Sequence, residues 1–97
     1  MKIIVHPTAV SDLNNAAAFY SAQANTQLGL ALINEFEKSV SLLSGNPELG
    51  VPWVSGTRRF ILRRFPFSIV YCLAPDHLSI IAIAHQRRRP DYWHRRK

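Results

Sequence analysis

Ninety-seven residues are enough for one domain, expected to span 1–97, and a hydrophobic content of 47% rules out a chain too polar to fold. The formal charge of +6 is divided unevenly. Residues 1–50 set Lys2 and Lys38 against Asp12, Glu35, Glu37 and Glu48, a net of −2, whereas residues 51–97 set nine arginines and Lys97 against Asp76 and Asp91, a net of +8. Within one small domain this asymmetry implies a basic face rather than a uniformly solvated surface.

Cys72 is the only cysteine, so no disulfide forms within the chain, and its apolar neighbours suggest a small buried hydrophobe. The apolar run after Met1 is too short for a signal peptide. No stretch approaches the roughly 18 apolar residues of a membrane span, so a cytoplasmic protein without a membrane partner is expected.

In chain order, Lys2–His6 reads as a short β-branched strand stopped by Pro7. Val10, Leu13, Ala17, Tyr20 and Ala24 then recur at steps of three and four, which predicts an amphipathic helix with Thr8 as its N-cap. A second helix carries Leu28, Leu32, Ile33, Phe36, Val40 and Leu43 on one stripe. Gly45 is expected to close it in a left-handed cap before Asn46-Pro47. The few polar residues around Asn25-Thr26 leave room only for an antiparallel helical hairpin.

Pro47–Gly56 reads as loop, punctuated by Gly50, Pro52 and Gly56. Three strands are predicted after it. Arg58–Arg64 alternates, with Arg59, Ile61 and Arg63 on one face and Phe60 and Leu62 on the other. Phe67–Leu73 puts Phe67, Ile69, Tyr71 and Leu73 on one face, and Ala74-Pro75-Asp76-His77 forms a compact turn. Leu78–His85 is apolar on both faces and is expected to be the most buried strand. The fold class is α+β in the order β-α-α-β-β-β, a helical hairpin on one face of a mostly antiparallel four-stranded sheet.

The segment from His85 to Lys97 holds five arginines, one lysine and the Tyr92-Trp93 pair. Arginine is too costly to bury unpaired, and a solvated tail has no need of two aromatics. The composition points to phosphates, nucleic acid or an acidic protein. Arginine outnumbers lysine nine to three, which favours two-point recognition of an anion, although a high-GC genome also raises arginine.

The run Arg58-Arg59-Phe60-Ile61-Leu62-Arg63-Arg64-Phe65-Pro66-Phe67-Ser68-Ile69-Val70-Tyr71 and the closing Ala82-Ile83-Ala84-His85, with Arg88-Arg89-Pro90, Tyr92-Trp93 and Arg95-Arg96 after it, resemble the ParE/RelE superfamily of type II toxins. Pro7-Thr-Ala and Asp12-Leu13 at the first helix match as well, and the closing run looks closer to the ParE branch. The resemblance implies a growth-inhibiting toxin neutralised by a cognate antitoxin, with which it can form a hetero-oligomer. The expected target is DNA gyrase. The alternative implied is a RelE-like endoribonuclease acting on messenger RNA at the ribosome without a metal. Whether the chain is an enzyme therefore stays open.

A nuclease needs a base, an acid and cations around the phosphorane. The candidates are His85, Tyr92, Arg63 and Arg88, with His94 as a further proton carrier. Arg59, Arg64, Arg87, Arg89, Trp93, Arg95 and Arg96 are candidates for gripping a target or phosphate. Arg58–His85 lacks the lysines that RelE-like nucleases carry, which favours the gyrase reading. Structural roles stand beside these: His85 bonded to a backbone carbonyl, Trp53 and Trp93 covering the core edge, and Arg63 and Arg64 paired with Glu35 or Glu37. His6 and His77 read as solvated. No cofactor is expected, and no His/Cys/Asp/Glu cluster has metal-ligand spacing. A small RNA-binding domain is the remoter alternative, without a Gly-rich loop or GxxG clamp to support it.

Overall fold

The computed structural model describes residues 1–87, 92, 93 and 96. Strand β1 (Lys2–Val5) leads into helix α1 (Pro7–Gln23), which is followed by helix α2 (Thr26–Gly45). Then come β2 (Val51–Pro52), a short 3-10 turn (Val54–Gly56), β3 (Arg58–Ile61), β4 (Phe67–Leu73) and β5 (His77–His85). The sheet runs β1-β5-β4-β3-β2, with β1 parallel to β5 and the other pairs antiparallel.

The expected α+β class and element order hold, but the sheet has five strands rather than four. The extra one, β2, is two residues long and pairs with Arg58 and Arg59 from inside the expected loop. A sheet edge tolerates Pro52, which lacks a donor, and so short a segment has no alternation to betray it.

Helix α1 starts one residue before the expected cap. Pro7 occupies its first turn, where a missing N–H leaves nothing unsatisfied, and the carbonyl of extended His6 accepts from Ala9 and Val10 at 2.9 and 3.1 Å. Thr8 therefore lies within the helix. The buried stripe is Ala9, Leu13, Ala16 and Ala17, which keeps Leu13 and Ala17 as expected but takes Ala9 and Ala16 in place of exposed Val10.

Helix α2 is capped by Asn25, whose Oδ1 accepts from the Leu28 amide at 2.8 Å. It buries Leu32, Phe36 and Leu43 as its pattern predicts. Gly45 is not left-handed; the helix simply ends into Asn46 at φ −147°. Gly29 lets the hairpin close: a Cβ there would meet the Ala17 carbonyl oxygen at 2.6 Å.

Two apolar clusters lie on opposite faces of the sheet. The larger joins the helices to Leu62, Phe65, Ile69, Tyr71, Leu78, Ile80 and Ile83. The smaller gathers Val70, Ile81, Ala82 and Trp93, with Trp53, half-buried Cys72 and Tyr92 against it. A bulge makes this division possible: Tyr71 pairs with Ile80 but Val70 with Ala82, so Ile81 is an extra residue on β5. Strand β5 is apolar on both faces because both faces are covered, as expected.

The loop before β3 is tied to the core by Tyr71, whose hydroxyl donates to the Pro47 carbonyl at 2.7 Å and accepts from the Gly50 amide at 3.0 Å. Arg58 holds the same loop through the carbonyls of Gly50 and Glu48 at 2.9 and 3.0 Å. Removing the hydroxyl in Tyr71→Phe strands a carbonyl and an amide, so a loss of about 1–3 kcal/mol is expected in urea unfolding. In the β4–β5 turn, the hydrogen bond from His77 to Asp76, 2.8 Å long, holds the Asp76 carboxyl below its ordinary value. The stabilisation is present above the ordinary carboxylate range and lost as pH falls through the lowered value. In His77→Ala, NMR titration should find Asp76 raised toward its ordinary value, short of it by the share that a backbone hydrogen bond contributes.

Candidate functional site

The two arginine-bearing ends of β3 open onto different faces. Arg63 and Arg64, just past its end, line a cleft of about 470 Å³ against α2, with Ala31, Leu42 and Phe60 as apolar lining and Lys38 beside them. Glu35 of α2 positions this segment through its backbone: Oε2 accepts from the amides of Arg63 and Arg64 at 2.6 and 3.2 Å. Glu35 thus meets the main chain, and both arginine side chains stay exposed, with the Arg64 guanidinium 5.6 Å from the Phe65 ring.

Arg59 faces the other way. Its guanidinium carbon lies 3.7 Å from the ring centroid of Trp53. Trp53 is held there by a tight loop in which Ser55 and Gly56 take φ of 58° and 74° and the Trp53 amide donates to the Thr57 carbonyl at 2.8 Å. Arg59 and Trp53 line a cleft of about 170 Å³ with Ser68, Trp93, His85 and Gln86.

His85 and Tyr92 also meet in a groove beside Asp12 and Phe67. The His85 ring stands edge-on to Phe67, centroids 5.1 Å apart, and its Nδ1 accepts from the Arg87 amide at 3.1 Å. Its structural bond is thus to a backbone amide rather than a carbonyl, which needs a neutral Nδ1. The Tyr92 hydroxyl donates to the Ile83 carbonyl at 3.4 Å.

Arg96 makes a two-point ion pair with Asp12 of α1, at 2.6 and 3.4 Å, and donates to the Ile81 carbonyl at 3.2 Å. Asp12 also accepts from the Ile83 amide at 3.1 Å. Trp93 is 1% exposed, so in this structure it packs in the core and offers no ring to a target. Arg87 is exposed. Arg88, Arg89, Arg95 and His94 lie outside the described residues. Of the three described nuclease candidates, His85 and Tyr92 are brought together, and Arg63 sits in a different cleft.

A family model, the ParE toxin of the type II toxin-antitoxin system parDE, matches residues 3–90. The chain belongs to the ParE toxin family. Its fold is similar to that of a chain from the chromosomal ParDE toxin-antitoxin system of P. aeruginosa, with 24% identity, a TM-score of 0.79, and coverage of 88% of this chain and 95% of that one. No curated protein matches the sequence significantly. The chain is a type II toxin. No helix among the described residues is long and apolar enough to cross a membrane. Among those residues, no group of three or more His, Cys, Asp or Glu is placed to hold a metal.

Sequence reasoning missed Ser68, buried in the Arg59 cleft, and the role of Asp12. Ser68 pairs with Ile61 and Arg59 with Val70, making them diagonal neighbours on one face, which only the hairpin register reveals. Asp12 and Arg96 are 84 positions apart, with no local signal joining them. Asp12→Ala leaves the Arg96 guanidinium without its carboxylate and the Ile83 amide without its acceptor, and should lose about 2–3 kcal/mol in urea unfolding. A double substitution with Arg96→Ala should lose less than the two single losses combined.

Proposed function

We propose that this toxin inhibits growth by binding and poisoning DNA gyrase, and that a cognate antitoxin neutralises it. The observation that carries the choice over nuclease chemistry is the lack of lysine between Arg58 and His85, beside the separation of the candidate cation Arg63 from His85 and Tyr92, since the groups that move protons and grip phosphate must surround one phosphodiester. His85 Nδ1 and the Tyr92 hydroxyl are already engaged with the backbone. The exposed arginines at 63, 64 and 87 suit a binding surface instead, with Arg88, Arg89 and Arg95 as further candidates for the target contact.

The cleft between α2 and β3 supports the antitoxin reading. Its apolar lining and basic rim fit an amphipathic segment with acidic side chains, and Leu30 and Leu42 are 53% and 56% exposed on the same helix. Leu42→Asp combined with Arg63→Glu should weaken antitoxin binding more than tenfold by calorimetry, because it inverts both features of the cleft.

The mechanism is tested by inducing the toxin without antitoxin and pulse-labelling DNA and protein synthesis in the first minutes. The expected result is early arrest of DNA synthesis with a DNA-damage response, retained in His85→Ala. Early collapse of protein synthesis, abolished by His85→Ala, overturns this in favour of ribosomal messenger-RNA cleavage.

A further inference from the structure

The cleft on the sheet face away from the helices holds two polar atoms that the fold leaves unused. Ser68 is 3% exposed and its Oγ has no hydrogen-bond partner, and Nε of Arg59 is likewise buried and unpartnered. Both side chains line the same recess. Buried donors are nearly always paired, so two unpaired ones on side chains that line one small recess mark a place for an acceptor from outside the chain.

We propose that this recess binds a single carboxylate group. Size supports it, since about 170 Å³ is well under the 300–1,000 Å³ of pockets for whole small molecules and leaves space for one head group. Charge supports it too: Arg59 is the one permanent cation among the described residues lining the recess, matching a monoanion rather than a phosphate dianion. Geometry agrees. The Arg59 guanidinium carbon is held 3.7 Å from the Trp53 ring centroid, which fixes the fork at the recess, and a planar carboxylate is the anion that such a fork of N–H donors grips in two places. Ser68, diagonal to Arg59 across the β3–β4 pair, supplies a second donor to the same oxygens. The carboxylate belongs either to a free small acid or to an acidic side chain of a protein partner. The inference does not depend on which target the toxin attacks.

The chain's two tryptophans, Trp53 and Trp93, both line the recess, so intrinsic fluorescence reports its occupancy directly. The purified full-length chain is titrated with acetate, with a capped Gly-Asp-Gly peptide and with inorganic phosphate, at constant ionic strength. Saturable changes with acetate and peptide are expected, with phosphate weaker. Equal affinities for acetate and peptide support a free acid, and tighter peptide binding supports a partner side chain. Arg59→Gln should weaken carboxylate binding at least tenfold, Arg59→Lys and Ser68→Ala severalfold. The milder pair keeps the test open if Arg59→Gln fails to fold. A linear, non-saturating response, an affinity unchanged in Ser68→Ala and Arg59→Lys, or phosphate binding as tight as carboxylate overturns the proposal.

Discussion

The outer edge of β5 is the constraint on which the rest of this fold depends. Strand β1 pairs with β5 only as far as Ile80, where the chain leaves the sheet and the His6 amide makes the last backbone bond, at 2.9 Å to the Ile80 carbonyl. Beyond that point β5 runs on through some of the most apolar sequence in the protein, and its peptide groups there need partners. Side chains supply them: Asp12 takes the Ile83 amide, Arg96 the Ile81 carbonyl and Tyr92 the Ile83 carbonyl. One helix residue and two residues from the C-terminal segment thus extend the sheet where a strand is missing. The same contacts bring Trp93 over the second face, where it closes the smaller core.

This explains why only part of the architecture was legible in the sequence. Periodic features came through: the stripe of α2, the alternation of β4, and the two-sided apolarity of β5 each reflect a face that packs against something nearby. Contacts without a period did not. Nothing local marks Asp12 as the acceptor for a guanidinium near the other terminus, or Glu35 as the acceptor for two backbone amides after β3. The helix caps failed for a related reason. Thr8 and Gly45 are good capping residues by type, but His6 and Asn46 hold the cap positions, and the His6 amide is tied to the sheet at Ile80.

The basic half of the chain was correctly seen as unusual, but its uniform composition concealed different roles. Arg58 fastens a loop through two carbonyls, Arg59 lies stacked in a recess, and Arg96 is paired with Asp12. Arg63, Arg64 and Arg87 remain exposed. A lysine in the structural positions would keep the charge but lose the fork of donors that lets one side chain hold Asp12 and a carbonyl together. The preference for arginine is therefore partly architectural, and charge counting alone overstates how much of the basic half faces a target.

That division also bears on how the toxin meets its partners. The described residues of the C-terminal segment, Tyr92, Trp93 and Arg96, are bound into the fold and form a fixed anchor. The cleft proposed above for the antitoxin lies on the other side of the sheet, between α2 and β3. If the target is met beside the anchor, neutralisation by an antitoxin in that cleft cannot rest on simple overlap of the two sites. It must then act by steric reach around the sheet edge or by shifting the β3 segment that carries Arg59 on one face and leads into Arg63 and Arg64 on the other. Among the described residues, strand β3 is the one element common to both clefts, so it is the direct route for coupling between the two faces.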